Sequence, residues 1–469
     1  MTITTADFSV LTGPARTSHD APGYLIRVAG ARESAAYRKL RHESFVAQQQ
    51  LFSGSDADDI DDDPRTRVLV AVAHDGTVLG GVRLAPATAV DLGWWTGSRL
   101  VVDEWQRKGT VGPALVQAAC AYAETNHVLR FEATVARRYE GMFTRLGWVR
   151  LGDVGIARAP HVHMRWPIDR VERIVAATKA LLAGVLAPLR EQPTALGGNG
   201  FRGDDGAPVP GTDLIAACDA IIPSMVQRDP EWAGWCAALV NLNDLSAMGA
   251  EPVGLLDAVG APNHSILTRV VRGLAKASAT WGVPVLGGHT QFGVPAALSV
   301  TALGRTANPV RGGGGKLGDE LRLTADLDGG WRPGYQGQQW DSTSTRSSVE
   351  LRAMGRFVAD TAPHAAKDVS MAGLAGTTGM LAEASGLGAE LEVARIPRPT
   401  EATLGEWMTC FPGFAMITAD RPGARVAPAG PAHSAVCGRL TTTPGVSLRW
   451  PDGATTFAVH STVTGLGAS

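Results

Sequence analysis

The feature that most constrains the fold of this chain is a series of aspartates beside small residues, where strands or helices are predicted to end. They occur in GDDGAP, LIAACDAI, NLNDLSAMGAEP and KDVSMAGL, and they are Asp204, Asp205, Asp219, Asp244 and Asp368. Carboxylates in such positions suit hard cations such as Mg²⁺ and the phosphates that these cations accompany. Each aspartate, taken singly, can also be a turn, cap or helix-edge residue.

The stretch NLNDLSAMGAEP shows the two interpretations side by side. Leu242, Leu245 and Met248 recur at helical spacing, which predicts a buried helix. Asn241 and Asp244 are three residues apart and therefore share one face of that helix. The stretch is then either a helix with a polar edge or part of a metal or phosphate site.

Length, net charge and cysteine content limit the number of domains, the partners and the cellular compartment that we expect. A chain of 469 residues predicts about three domains. The formal net charge of -2 gives no electrostatic reason to expect nucleic acid or an anionic membrane as a partner. Five cysteines without a CxxC motif favour a reducing compartment over disulfides or a cysteine zinc site. With no signal peptide and no membrane-length apolar run, we expect a cytoplasmic protein.

The chain alternates strand and helix patterns, which predicts an α/β (α+β) fold. We expect a disordered lead-in at 1–22 and domains at 23–167, 168–310 and 311–469. Three further segments are predicted as irregular: a solvated acidic loop at 56–63, a hinge or inter-domain loop at RGGGGKLGD, and a long polar loop at 328–348. The stretch DRVERIVAATKALLAGVLAPL is predicted as one helix that opens the second domain.

A loop between a predicted strand and helix has the properties of a pyrophosphate site. The strand ends near Val102 and the helix begins near Val111. Free N–H groups at a helix N-terminus bind anions, and small residues let phosphate oxygens reach them. The predicted contacts are Val101, Val102, Arg107, Lys108, Gly109, Thr110, Val111 and Gly112.

This loop resembles that of the GNAT acyltransferases, as do YRKLRHESFV near the start and MFTRLGW at 142–148. The resemblance implies the GNAT fold and acetyl-CoA as cofactor. Phe143 stands where the family often has a proton-donating tyrosine, so Tyr139 or Glu132 is the candidate for proton transfer. Each can also be an ordinary aromatic or strand residue. His161 and His163 share a strand face and are predicted as strand residues rather than a zinc site.

The ordered aspartate motifs, with GGHT at 287–290, resemble the AIR synthase superfamily, which includes thiamine monophosphate kinase and selenophosphate synthase. The resemblance implies two α/β domains, a homodimer, ATP and Mg²⁺ held by the five aspartates. It also implies contacts to nucleotide or substrate from Gly203, Asn241, Gly287, Gly288, His289, Thr290 and Ser370.

Departures from these patterns leave the substrate open. His289 stands where the kinases have an aspartate, Met371 replaces a second one, and Arg202 is the only charge near GDDG at the place where selenophosphate synthases use Cys or Lys. The predicted function is a bifunctional enzyme of small molecules: acetyl-CoA-dependent acyl transfer to an amine-bearing metabolite, and Mg-ATP-dependent phosphorylation. The alternatives are a nucleotide-sensing module that controls the acyltransferase, and a non-catalytic scaffold.

Overall fold

The structure is a computed structural model that describes residues 23–106, 109–156 and 159–469. Two compact units divide the chain, Met1–Ile168 and Asp169–Ser469. The predicted lead-in at 1–22 and the predicted phosphate contacts Arg107 and Lys108 lie outside the described residues. Within the described ranges, no helix is both long and apolar enough for a membrane crossing. All five cysteines are free thiols.

The first unit is a mixed sheet with helices. Its strands are β1 (Tyr24–Val28), β2 (Arg67–Ala73), β3 (Val78–Pro86), β4 (Trp94–Val102), β5 (Arg130–Ala136), β6 (Val149–Ile156) and β7 (Ala159–Trp166). Its helices are α1 (Ala31–His42), α2 (Val111–Thr125) and α3 (Glu140–Arg145). The strand order is β1-β2-β3-β4-β5-β7-β6. Apolar side chains of α2, α3 and the strands, among them Leu115, Phe131, Phe143 and Trp148, form the core.

One strand pair of this sheet is parallel and short. β4 pairs with β5 only from Trp94–Arg130 to Gly97–Ala133, while the rest of the sheet is antiparallel. β4 continues to Val102 paired with β3 but without pairing to β5. The two strands therefore separate beyond Gly97 and open a gap in the middle of the sheet.

The second unit holds two larger sheets and a small hairpin. Its helices are α4 (Arg170–Lys179), α5 (Leu182–Val185), α6 (Pro223–Arg228), α7 (Pro230–Ala247), α8 (His264–Trp281), α9 (Ser348–Gly355), α10 (Phe357–Thr361), α11 (Gly373–Ala384) and α12 (Leu404–Trp407). Its strands are β8 (Ala207–Pro208), β9 (Leu214–Ile221), β10 (Glu251–Ala261), β11 (Val285–Phe292), β12 (Ala297–Arg305), β13 (Glu320–Ala325), β14 (Gly330–Trp331), β15 (Trp340–Asp341), β16 (Ala365–Asp368), β17 (Gly388–Glu392), β18 (Ala415–Asp420), β19 (His433–Thr441), β20 (Val446–Arg449) and β21 (Thr455–Val459). The sheet orders are β11-β10-β12-β9-β8, β16-β18-β13-β19-β17-β20-β21 and β14-β15.

Helix α7 is the centre of the second unit. Nearly all of its side chains are buried, so it is surrounded by protein rather than amphipathic at a surface. It packs on α8, β9, β12 and β16, and one apolar cluster extends from it to both larger sheets. Gly234 of α7 and Gly273 of α8 allow this packing, because a Cβ on either would overlap the backbone of the other helix. The predicted helix at NLNDLSAMGA is thus confirmed as the end of α7, and it is a core element.

The prediction that 56–63 is a solvated acidic loop is wrong. Asp56 and Asp61 are buried and pair with Arg41 at 2.6 Å each. Arg83, also buried, pairs with Asp61 at 2.9 Å and binds Asp58 through two hydrogen bonds. The acidic run is attached to the sheet because its counter-charges come from α1 and β3, which are distant in sequence.

The segment RGGGGKLGD, predicted as a hinge or inter-domain loop, is a loop between β12 and β13, but its close packing contradicts a hinge. A Cβ on any of Gly312, Gly313, Gly314 or Gly315 would overlap neighbouring atoms, which include the His364 and Ala384 carbonyl groups. The glycines are therefore required for close packing of this segment against the second unit. The predicted single helix at 169–189 is likewise corrected: it is α4, α5 and a short 3₁₀ turn.

The predicted long polar loop at 328–348 is ordered. It contains the β14–β15 hairpin, and Trp340 is buried against Trp331 and Trp407 at ring separations of 5.2 and 6.2 Å. Two tryptophan N–H groups of α7 donate hydrogen bonds to Gln339 and Thr343 of this segment. Its polar residues are thus used for internal hydrogen bonds, which periodicity in the sequence does not reveal.

Candidate functional sites

Three aspartates from separate elements of the second unit bring their carboxylates together. Asp205 precedes β8, Asp244 lies in α7 and Asp368 ends β16. One ligand oxygen of each lies within 4.8 Å of the other two. Oxygen ligands lie about 2.0–2.6 Å from Mg²⁺ or Ca²⁺, so this spacing fits ligands around one cation. Among the described residues, this is the one group of three or more His, Cys, Asp or Glu side chains with such spacing.

Two buried oxygens, one in this group and one beside it, have no hydrogen-bond partner within the described part of the chain. They are Asp204 Oδ1 and Asp368 Oδ2. The other Asp204 oxygen accepts a hydrogen bond from the Gly312 N–H at 3.0 Å. Buried polar atoms without partners are rare and call for an explanation, and a bound cation would supply one. The donor set, all hard carboxylate oxygens, also matches Mg²⁺.

A buried lysine stands against the same carboxylates. Lys367 Nζ donates to Asp205 Oδ1 at 2.7 Å and to the Gly203 carbonyl at 2.9 Å. The Asp368 N–H donates to the other Asp205 oxygen at 2.9 Å. Asp205 is thereby fixed to β16 by both oxygens, which ties the glycine-rich turn to the larger sheet.

Burial and mutual repulsion shape the protonation of the cluster. Burial raises the pKa of Asp244 and of Asp368 well above the ordinary value; repulsion from Asp368, Asp219 and Asp205 adds to this for Asp244, and repulsion from Asp205 and Asp219 adds to it for Asp368. Burial raises the pKa of Asp204 to about 6, against the opposing effect of Lys367. These carboxyl groups are costly to ionise without a cation, so the site is arranged to receive positive charge.

Asp219 and Asn241 connect β9 to α7. Asn241 Oδ1 accepts from the Asp219 N–H at 3.1 Å, and its Nδ2 donates to the Ala237 carbonyl at 2.8 Å. The pKa of Asp219 is raised by burial, and the charge of Lys179 on α4 offsets only part of this increase. Asn241 thus positions the backbone beside Asp219, and its predicted contact with phosphate or ligand stays a prediction.

A cavity of about 470 Å³ lies in the first unit where β4 and β5 separate. Side chains from both faces of β5 line it, including Phe131 and Val135 from one face and Glu132 and Thr134 from the other. The separation of β4 from β5 explains this, because the cavity passes through the sheet where the two strands part. A long ligand can therefore reach both faces of the sheet here.

The predicted pyrophosphate loop ends at this cavity. β4 ends at Val102 and α2 begins at Val111, as predicted. Val101, Val102 and Gly112 line the cavity, and Val111 is buried behind them. The Thr110 hydroxyl is hydrogen-bonded to the Tyr24 hydroxyl at 2.9 Å. Gly112, in the first turn of α2, thus lines the cavity, and anion-binding N–H groups are expected at this helix N-terminus.

Glu132 lines the cavity but is held in ion pairs. Its oxygens accept hydrogen bonds from Arg130, Arg165 and the Trp94 indole at 2.8–3.1 Å. Burial would raise the pKa of Glu132, but the two arginines outweigh burial and lower it. A carboxylate with a lowered pKa is a weak proton acceptor at neutral pH.

Tyr139, His161 and His163 also line the cavity. Tyr139 is 45% exposed. His161 Nδ1 lies 2.9 Å from the Ala159 carbonyl oxygen, and His163 Nε2 lies 3.3 Å from Glu132 Oε2. Neither histidine belongs to a metal-type group among the residues described, and both are strand residues.

Comparison with known proteins identifies both units. Residues 34–148 match the model of the acetyltransferase (GNAT) family. Residues 203–306 and 338–450 match the N-terminal and C-terminal domains of AIR synthase related proteins. An uncharacterized protein of Synechocystis is 33% identical over 227 residues, which are 47% of this chain and 70% of that protein. This chain joins a GNAT domain to an AIR synthase related module, and it belongs to the AIR synthase related family.

Two further relatives describe the AIR synthase related module. A thiamine-monophosphate kinase of Synechococcus elongatus is 35% identical over 136 residues, which are 26% of this chain and 41% of the kinase. Phosphoribosylformylglycinamidine synthase II of Thermotoga maritima has a TM-score of 0.51 at 14% identity, over 64% of this chain and 52% of that chain. The solved structure shows the fold alone. The predicted fold class, a GNAT fold followed by an AIR synthase-like fold, is confirmed.

The remaining predicted residues of the AIR synthase related module lie in two places. Gly287, Gly288, His289 and Thr290 lie on β11, an edge strand that is exposed along its whole length. His289 is therefore outside the group formed by Asp205, Asp244 and Asp368. Ser370 follows β16 and accepts a hydrogen bond from the Gly373 N–H at the start of α11, which places it beside Asp368.

Sequence reasoning missed Lys367 and Lys179. Lys367 directly precedes Asp368, so its position was visible, but its partners are about 160 residues away in the chain. Lys179 belongs to α4, which packs against α11, and its charge acts on both Asp219 and Asp368. A search for lysines next to each aspartate motif would have identified Lys367 as a candidate site residue. The sequence around Lys179 contains no comparable signal.

Proposed function

We propose that this chain is a bifunctional enzyme of small molecules. In this proposal the GNAT domain transfers an acyl group from acetyl-CoA to an amine-bearing metabolite, and the AIR synthase related module uses Mg-ATP to phosphorylate a small molecule. The observation that carries the proposal is the convergence of Asp205, Asp244 and Asp368 beside two buried, unpartnered oxygens. A scaffold has no need of carboxylates that are costly to bury and ionise.

Mg²⁺ fits the carboxylate cluster. Asp205, Asp244 and Asp368 would hold the ion, with Asp204 and Asp219 next to them. The ion would supply charge that balances ATP phosphates. The position of that ion would be set by α7 and β16, because these two elements hold the carboxylates of Asp244 and Asp368 close together. Gly203, Asn241, Ser370 and the 287–290 segment remain the proposed contacts to nucleotide or substrate.

The cavity of the GNAT domain supports acyl transfer. Acetyl-CoA would place its pyrophosphate at the start of α2 and its acyl group in the gap between β4 and β5. Tyr139 at the cavity wall is the better candidate for proton transfer, because Glu132 has a lowered pKa and its oxygens are occupied by arginines. The amine acceptor would enter from the face that presents Thr134 and His163.

We further propose that the chain forms a homodimer through the AIR synthase related module in the cytoplasm. The exposed side chains Val253, Leu256, Leu286 and Phe292 lie on the neighbouring strands β10 and β11. Exposed apolar side chains on the edge strand β11 and on its neighbour β10 favour association with a second copy.

Two assays of the full chain test this function. A panel of amine and hydroxyl metabolites is incubated with acetyl-CoA or Mg-ATP, and free CoA thiol and phosphorylated product (by ³¹P NMR) are measured. We expect at least one metabolite to release CoA and one to consume ATP, with Asp244→Asn removing only the second activity. ATP binding without turnover on any metabolite would favour the nucleotide-sensing alternative.

A further inference from the structure

The carboxylate cluster contains two positions for positive charge, and the protein fills one of them itself. The first position lies among Asp205, Asp244 and Asp368, whose oxygens are spaced for one cation. The second is occupied by the Lys367 ammonium, which is within 2.9 Å of the Asp205 carboxylate and the Gly203 carbonyl. The Asp205 carboxylate therefore belongs to both positions.

A carboxylate shared by two cations is the usual arrangement of a two-metal site, in which the ions lie about 3.5–4 Å apart. Here one of the two cations is an ammonium group. Lys367 is completely buried, its side chain 2% exposed, and both of its recorded hydrogen bonds go to the turn that carries Asp204 and Asp205. Its charge also opposes the effect of burial on the pKa of Asp204.

We propose that Lys367 takes the place of a second divalent ion, so that the module binds one divalent cation of its own where a two-metal site would bind two. This inference rests on the proposed Mg-ATP function of the same site. Lys367 acts as a positioning residue: its fixed charge holds Asp205 against β16 beside the carboxylates of Asp244 and Asp368, where the ion would bind. Asp368 Oδ2 has no hydrogen-bond partner among the described residues, which suits a ligand oxygen of that ion.

Two structural facts favour this assignment over a purely structural salt bridge. Gly312 leaves space for the lysine stem, since a Cβ there would lie 3.0 Å from Lys367 Cε and crowd Asp204. The Lys367 ammonium lies against the carboxylates rather than in solvent, which makes it a permanent cation of the site. A structural pair would stabilise the fold without changing the number of ions that the site binds.

Titration of the metal-free full chain with Mn²⁺ alone, followed by electron paramagnetic resonance of free Mn²⁺, tests the proposal. Wild type should bind one ion, and Asp244→Asn should bind it at least tenfold more weakly. Lys367→Gln should bind two ions, and Asp204→Asn in that background should remove the second. Lys276→Gln, which changes an exposed lysine on α8, should bind one ion like wild type.

The outcomes separate this inference from the proposed function. Wild type that binds two Mn²⁺ ions, or a folded Lys367→Gln that binds only one, overturns the role of Lys367. If Lys367→Gln does not fold, Lys367→Met, which keeps an unbranched side chain without the charge, takes its place in the same titration, and a folded Lys367→Met that binds only one ion overturns the role of Lys367. Wild type that binds no Mn²⁺ would contradict the metal-dependent function itself.

Discussion

Asn241 Oδ1 accepts a hydrogen bond from the Asp219 N–H at 3.1 Å and so joins the middle of α7 to β9. Asn241 also lies on the same helix as Asp244, less than one turn away. The relative positions of Asp219 and Asp244 thus depend on one buried amide. This gives the asparagine of the sequence motif a positioning role that does not need direct contact with a ligand.

Asn241→Leu should weaken Mg²⁺ binding in the absence of nucleotide. The variant leaves the Asp219 N–H without its partner, which costs about 1–3 kcal/mol of stability. Isothermal titration with MgCl₂ alone checks the effect. If Asn241 only contacts phosphate, as the sequence motif suggests, Mg²⁺ affinity would be unchanged and only ATP affinity would fall.

Asp244→Asn should stabilise the metal-free protein while removing stabilisation by Mg²⁺. Burial and neighbouring carboxylates raise the folded-state pKa of Asp244, so ionisation at neutral pH opposes folding. Removing that charge should raise Tm of the second unit by roughly 2–6 °C, given the usual size of Tm shifts. Calorimetry with and without Mg²⁺ measures both effects; a variant less stable than wild type without metal would contradict this account.

The same pKa shifts set a pH dependence for the metal-free second unit. A carboxyl with a raised folded-state pKa contributes stability below its unfolded pKa of about 4, and the contribution is lost as pH rises through the folded pKa. Tm of the metal-free wild type should therefore fall between pH 5 and 8, and Mg²⁺ should raise Tm more at pH 8. A Mg²⁺ effect independent of pH would exclude these aspartates as its source.

The first unit should respond to acid instead. Burial would raise the pKa of Asp61, but hydrogen bonds from Arg41 and Arg83 lower it. A lowered pKa gives stability that is complete above the unfolded value of about 4 and is lost as pH falls below it. Asp61→Asn should cost about 3–5 kcal/mol, the usual effect of breaking a buried pair.

Asp59→Asn is the matched control for Asp61→Asn. Asp59 is exposed two residues earlier in the same acidic run, so its replacement should stay within about 0.5 kcal/mol of wild type. Denaturant unfolding of both variants compares them. Equal stability of the two variants would restore the interpretation of 56–63 as a solvated loop.

The positions of the aspartates could be predicted from sequence because each motif is local and carries its own small residues. Helix α7 and the strand–loop–helix at Val102 and Val111 were predictable for the same reason. The role of Lys367 was not, since its partners come from the opposite end of the module. The buried run around Asp61 was missed because its arginines lie 20 and 22 residues away along the chain.

Glu132 shows a further limit of sequence reasoning. Its position on a strand was predicted correctly, and Arg130 lies two residues earlier on the same strand, but its ion pair to Arg165 depends on the register of β5 with β7. That register brings Arg165 opposite Glu132, and no spacing within either strand reveals it. The chemistry of a carboxylate therefore follows from cross-strand neighbours that the sequence alone does not pair.

Gly112→Glu should abolish acetyl-CoA binding without unfolding the GNAT domain. A Cβ at Gly112 would make only an ordinary contact, 3.6 Å from Val102 Cγ2, and an acidic residue near the start of α2 suits the helix dipole. The same charge would repel a pyrophosphate. Gly112→Ala is the control and should lose less than tenfold in affinity; equal losses in both variants would point to steric rather than electrostatic exclusion.

The most direct test of two independent cofactor sites is isothermal titration of the full chain with acetyl-CoA and with Mg-ATP, for wild type, Gly112→Glu and Asp244→Asn. We expect wild type to bind both, Gly112→Glu to keep Mg-ATP and lose acetyl-CoA, and Asp244→Asn to keep acetyl-CoA and bind Mg-ATP at least tenfold more weakly, which is about 1.4 kcal/mol. Wild type that binds neither cofactor, or variants that lose both together while folded, would contradict the account.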